Sequence, residues 1–302
     1  MKVLYFIVIK DNMPKYQIDK VLNNNIVQCT EIGKDIECMV LGKGIGFQKV
    51  RGERIDSSLI EKIYFVKDKK NITRYQQLVE QCDDSLVEVV EDVIHQMELK
   101  FGDVYDEYLH IALLDHLNFS IYRMNNNIEV KNIFLEEFSI MYSEEYAFAK
   151  AMLEYINKQL SIDLPYSEVG FITLHIHSAI HEESVSKSAL YMQIISECVQ
   201  HIENQLQMHL DPCSLERMRL VTHLKFALER AKKQIELDNP VLNSLKNSYP
   251  KTFEIAQSLG EMLEREFDVH LYEGELGYLA LHIQNIINAV DKKGERVNDY
   301  TR

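Results

Sequence analysis

Four histidines stand in two matched pairs. Asp115-His-Leu-Asn-Phe119 recurs as Thr222-His-Leu-Lys-Phe226, and Glu168-Val-Gly-Phe-Ile-Thr-Leu-His-Ile176 recurs as Glu275-Leu-Gly-Tyr-Leu-Ala-Leu-His-Ile283. His116 and His223 are separated by 107 positions, and so are His175 and His282. Neutral imidazole is a metal ligand and a nucleophile near pH 7, so two chemistries suit the pairs. Metal binding asks for carboxylates or thiolates at close helical spacing, and no H-E-x-x-H or equivalent occurs. His175 and His177 lie two apart and diverge around a helix, and Gln284 stands where a second His177 would be. No metal and no cofactor are expected, and His177 receives no role. Phosphoryl acceptance fits better: a ring nitrogen attacks a phosphoryl donor and gains up to two negative charges. A histidine in a helix core is more often a packing residue. Here both pairs are kept while Asp115 gives way to Thr222 and Thr173 to Ala280, which favours function for His116, His175, His223 and His282. His95, His110, His181, His201, His209 and His270 show no paired pattern and read as surface or packing residues.

Positioning them are helices. Beyond residue 70, apolar residues recur three and four apart, as in Leu86, Val90, Val93, Ile94 and Met97. The first histidine of each pair belongs to a helix over Tyr108–Arg123 or Leu215–Arg230, the second to one over Ser167–Ile180 or Glu273–Val290. Pro165, Pro212, Pro240 and Pro250 lie where helices should begin. The same register pairs Asn132 with Asn239, Leu135 with Leu242, Tyr142 with Tyr249, Tyr146 with Phe253 and Ala149 with Ala256. Two homologous helical-bundle domains follow, 72–180 and 181–290. Ahead of them, short strands are expected at Gln17–Leu22, Ile26–Cys29, Ile36–Leu41, Gly46–Val50 and Ile60–Val66, interrupted by Asn23-Asn-Asn25, Gly33-Lys34 and Gly42-Lys-Gly-Ile-Gly46. The fold class is therefore multidomain β plus all-α, with a small antiparallel β module at 14–68 and a charged linker at Lys67–Lys70. So short a module gains stability from pairing with a second copy.

The 302 residues carry 33 Lys+Arg and 47 Asp+Glu, a net charge of −14 that taken whole argues against nucleic acid. Divided along the chain, residues 1–70 are net +4 and residues 71–302 net −18. A basic module precedes an acidic body. Five cysteines (Cys29, Cys38, Cys82, Cys198, Cys213) without a C-x-x-C pair give neither a disulfide framework nor a zinc site and fit a reducing cytoplasm. The apolar run Val3–Ile9 is too short to span a bilayer and lacks a cleavage site, so membrane insertion is not expected. Met13 precedes the first patterned segment, which makes residues 1–12 a possible upstream extension.

In the β module, Lys20-Val-Leu-Asn-Asn-Asn25 and Leu41-Gly-Lys-Gly-Ile-Gly-Phe47 combine amides for base edges, lysines for phosphates, glycines for close approach and an aromatic ring for stacking. Composition alone equally describes an Asn-rich turn and a Gly-rich hairpin loop. With Asp115-His116, Gly170–Ile176, Thr222–Phe226 and Tyr278–Ile283, however, these segments resemble the BglG family of transcriptional antiterminators in order and over nearly all of 15–290. The resemblance implies a co-antiterminator domain that dimerises on an mRNA hairpin and blocks the overlapping terminator, followed by two regulation domains phosphorylated by the sugar phosphotransferase system. Carried over by motif, Lys20, Asn25, Gly42, Lys43 and Phe47 would contact RNA, and His116, His175, His223 and His282 would accept phosphate. The donors implied are HPr and a sugar-specific enzyme II, and no catalytic activity is implied. Leu114 stands where the family commonly has Thr before the Asp-His pair. Two rivals are a DNA-binding activator with the same regulation domains, which needs a helix-turn-helix, and an all-helical metal-dependent hydrolase using the histidines as ligands.

Overall fold

The structure is a computed structural model and describes residues 16–65, 69–102, 107–130, 132, 134–212 and 214–299. Residues 1–12, Met13, Val66 and Cys213, and Lys67 and Asp68 of the expected linker, lie outside the described residues, while Lys69 and Lys70 of that linker are instead the first residues of a helix.

Strands β1 (Tyr16–Val21), β2 (Ile26–Glu31), β3 (Ile36–Leu41) and β4 (Lys62–Phe65) form an antiparallel meander in that order. Alternation in β1 buries Tyr16 and Ile18, which join Val27, Cys29, Cys38, Val40 and Ile45 in a small core. The β2–β3 turn closes through positive φ at Gly33 and Asp35. An irregularity between Ile18 and Lys20 shifts the β1–β2 register, and residues 52–55 cover part of the free edge of β1 through Ile18 N to Glu53 O at 2.8 Å and Gly52 N to Ile18 O at 2.8 Å. Gly46–Val50, expected as a strand, is instead a run of turns. Gly44 and Gln48 have φ of +72° and +54°, and the amides of Phe47 and Lys49 bond back to the carbonyls of Gly44 and Gly46, so this stretch cannot extend.

Eleven helices occur in the described residues: α1 (Lys69–Gln81), α2 (Asp84–Phe101), α3 (Glu107–Asn125), α4 (Leu135–Met141), α5 (Ser143–Leu160), α6 (Glu168–Ile180), α7 (Val185–Leu206), α8 (Leu215–Lys232), α9 (Leu242–Ser248), α10 (Pro250–Phe267) and α11 (Glu273–Asp299). Two compact units result. One runs to Glu129 and includes Met152–Pro165; the other holds Val130–Ala151 and everything from Tyr166 onward.

The repeat is visible in backbone detail. Helices α4 and α5 are reproduced by α9 and α10 with both ends displaced by the same 107 positions. Even the joints match: Tyr142 has φ −129° and ψ 49°, Tyr249 φ −132° and ψ 54°. In the second unit Met192, Ile195, Leu220, Leu224, Ala256, Leu259, Leu279 and Ile283 form a continuous core. Arg217 on α8 is buried in it and donates to Glu137 Oε1 at 2.6 Å and to the Leu210 carbonyl at 3.2 Å, with Glu136 Oε2 at 2.9 Å.

Candidate functional site

The β1–β2 turn and the Gly-rich loop, separated in sequence, close onto each other. Gly42 N donates to Asn25 O at 3.0 Å, Gly46 N to Asn24 O at 2.9 Å, and Gly44 N to the side-chain Oδ1 of Asn25 at 2.6 Å. Asn25 therefore holds the loop as well as offering its Nδ2 outward. Gly42 has a packing reason of its own, because a Cβ there would meet Leu59 O at 1.7 Å. Lys43 is exposed and Phe47 is 58% exposed, so an aromatic face and a cation project from a hydrogen-bonded platform. That is what stacking on an unpaired base and meeting a phosphate require.

The same edge carries acidic partners from the helices of its own unit. Lys20 Nζ is 2.6 Å from Glu80 Oε1 on α1, Asn25 Nδ2 bonds Glu88 on α2, Gln28 bonds Gln76, and Lys62 Nζ is 2.8 Å from Glu98 Oε2. The acidic character read from composition thus acts locally, at the lysines themselves.

Among the histidines, the second pair is brought together. The rings of His223 on α8 and His282 on α11 are 4.7 Å apart between centroids. His223 Nε2 has no hydrogen-bond partner and lies 3.5 Å from Oε2 of buried Glu275, which is itself bound by Arg230. Burial, then His282 and Arg230, push the His223 imidazolium down to about 3, so its ring is neutral at pH 7. Burial and Arg219 also lower His282. A cleft of about 530 Å³, lined by Glu216, Arg219, His282, Asn285, Asn288 and Ala289, opens beside it. Neutral nitrogen, a guanidinium and amides suit an incoming phosphoryl group, with Glu216 the one carboxylate among the described residues of the cleft lining and Arg230 paired to Glu275. In the first repeat, His116 Nε2 lies 3.4 Å from Ser120 Oγ, which accepts from Arg123 at 2.8 Å. His175 is half-buried on α6.

Asn132 and Asn239, paired by the repeat register, had no role in the sequence, and the structure shows that they seat these helices. Asn132 Oδ1 accepts from Phe134 N at 3.0 Å, and Asn239 Oδ1 from Val241 N at 3.2 Å. Each amide presses on a glycine: a Cβ at Gly170 would lie 2.2 Å from Asn132 Nδ2, and one at Gly277 2.6 Å from Asn239 Nδ2. Both asparagines and both glycines keep the repeat register, the signal that could have found them.

The sheet over 16–65 leaves no room there for a helix-turn-helix, and no described helix is long and apolar enough to cross a membrane. Residues 16–73 match the CAT RNA binding domain, and residues 88–179 and 196–286 each match the PRD domain. The "GlcA/glcB genes antiterminator" of Staphylococcus carnosus is 35% identical over 283 residues, 93% of this chain and 99% of its own. "Protein GlcT" of Staphylococcus aureus is 32% identical over 93% of this chain and all of its own. The solved structure "Crystal structure of GlcT CAT-PRDI" shares 37% identity, covers 55% of this chain and 98% of its own, and superposes with a TM-score of 0.51. The small antiparallel sheet, the duplicated helical domains and these relatives together place the chain in the BglG family of RNA-binding transcriptional antiterminators regulated by the sugar phosphotransferase system.

Proposed function

We propose that this chain binds an mRNA hairpin as a homodimer through Lys20, Asn25, Gly42, Lys43 and Phe47 of a module spanning 14–68, and so prevents a terminator from forming. Its relatives' names point to genes of the glcA and glcB type as targets. The observation that carries the reading is the closure of the Asn25 turn on the Gly42–Phe47 loop, which leaves Phe47 and Lys43 projecting from a rigid edge. Asn25 and Gly42 shape that edge; Lys20, Lys43 and Phe47 meet the RNA.

Regulation domains at 72–180 and 181–290 hold the phosphoacceptors His116, His175, His223 and His282, with HPr and a sugar-specific enzyme II as donors. In the second domain His282 opens on the cleft, with Arg219 placed to take the new charge. Phosphorylation adds negative charge to an already acidic body and shifts its packing between states that free or hold the RNA edge.

The test is read-through of a terminator in a purified transcription system, with RNA affinity measured in parallel. Phe47→Ala and Lys43→Ala change exposed side chains, so the fold should persist while affinity falls. Unchanged affinity in both variants would overturn the interface. Phosphotransfer from the purified phosphotransferase components, with single His→Ala variants and the variant lacking all four histidines, tests the acceptors; label that survives loss of all four, or none on the parent chain, refutes the assignment.

A further inference from the structure

The first regulation domain contains a side-chain cluster that its second copy lacks. Glu145 in the first turn of α5, His177 in the last turn of α6 and His181 just past it bring one ligand atom each within 4.8 Å of one another. His177 Nδ1 lies 3.0 Å from Glu145 Oε1, and the two side chains are 12% and 13% exposed. Tyr142 stacks on the His177 ring at 3.6 Å between centroids and 21° between planes, which fixes the imidazole's direction. The His177 and His181 rings are 4.2 Å apart. The i, i+4 spacing places both imidazoles on one face of a helix, the arrangement found in helical zinc sites. At the same register the second copy has Thr252, Gln284 and Asn288, and there Gln284 Nε2 simply donates to Asn288 Oδ1 at 3.0 Å. All three candidate ligands are replaced together, by groups that make poor zinc ligands.

We propose that Glu145, His177 and His181 form a binding site for a divalent transition-metal ion of the Zn²⁺ type, with water completing a tetrahedron. Two ligand atoms at about 2.0–2.2 Å from zinc stand about 3.3 Å apart, so the 3.0 Å pair need open only slightly to admit the ion. Burial, then His177, hold His181 below the usual imidazole range. Burial raises the Glu145 carboxyl, but the hydrogen bonds from His177 and from its own backbone amide, with His177 and His181 nearby, together bring it below the usual carboxylate range. The nearby cation Lys225 is tied to the Met141 carbonyl at 3.2 Å. A bound ion would fasten the end of α6, the helix bearing His175, to the start of α5. The site is distinct from the four repeated histidines and does not depend on their role.

The test uses the untagged full chain stripped with chelator and titrated with Zn²⁺ against a chromophoric competitor, with Co²⁺ absorption reporting geometry. One ion per chain and a tetrahedral Co²⁺ spectrum are expected. His181→Ala, at an exposed position, and Glu145→Gln should each weaken binding by more than about tenfold. His223→Ala should leave binding unchanged. Absence of stoichiometric binding, binding indifferent to His181→Ala, or binding lost with His223→Ala would overturn the proposal.

Discussion

His223 shows how burial keeps an imidazole neutral. Its imidazolium is disfavoured by desolvation and by two neighbouring cationic or potentially cationic groups, so the lone pair is available at neutral pH. The cost appears in stability. In the unfolded chain this group protonates at about 6.5, but in the folded chain only at about 3, so the unfolded state binds more protons between those values. Stability from this group is complete above 6.5 and declines as pH falls towards 3. Replacing His223 by Asn removes the titration, and the thermal unfolding midpoint of that variant should fall less steeply than the parent's between pH 6.5 and 4. Parallel curves would show that the depressed imidazolium contributes nothing. None of this was readable in sequence: the 107-residue spacing identifies His223, but its burial and the 4.7 Å approach of His282 arise only when α8 and α11 pack. His181 is the converse. Its i, i+4 relation to His177 was visible in the chain, but the relation acquires meaning through Glu145, 32 residues upstream of His177.

At the scale of elements, the Asn–Gly contacts decide where α6 and α11 sit. Gly→Ala inside a helix ordinarily stabilises by about 0.8–1.0 kcal/mol through helix propensity. At Gly277 the added methyl would meet Asn239 Nδ2 at 2.6 Å and Leu242 Cδ1 at 2.8 Å. Asn239 cannot swing away without losing its bonds to the Gly274 carbonyl and the Val241 amide. Overpacking of this kind costs about 1–3 kcal/mol, so Gly277→Ala should be neutral to destabilising by about 2 kcal/mol in urea unfolding. A clear gain in stability would contradict the contact. A larger loss is expected at α8: Arg217→Met leaves buried Glu137 without its cation and should cost about 3–5 kcal/mol. Element order and the repeat were legible because apolar periodicity and prolines near helix starts encode them locally; α4, α5, α9 and α10 fall on the 107-residue register at both ends. Gly46–Val50 was not legible. Phe47 and Val50 are good strand formers, and the turn that replaces the strand is fixed by bonds within the loop and to the Asn-rich turn.

For the molecule as a whole, the proposed interface sets two neighbours in competition for Lys20: its own helix α1 and the RNA. Lys20 is paired with Glu80, and Asn25 with Glu88, before any nucleic acid arrives. Exposed pairs of this kind are worth roughly 0.2–1 kcal/mol each. Combining Glu80→Gln with Glu88→Gln should therefore tighten RNA binding by about 2- to 30-fold in a gel-shift titration, and weaker binding would show that these contacts support the edge and do not mask it. Salt should expose the competition more directly. A lysine that meets a phosphate normally releases condensed counterions and contributes about 0.7–0.9 to the slope of log affinity against log salt. When Lys20 leaves Glu80, the freed carboxylate regains only a diffuse screening atmosphere while the RNA sheds condensed ions, so a fraction of that release is offset. The parent chain should thus look slightly less salt-sensitive than its number of phosphate contacts warrants, and Glu80→Gln should steepen the slope by a fraction of one unit. The helix beside the sheet acts, in ionic terms, as a local counter-charge that partly shields the lysine edge from the salt around it.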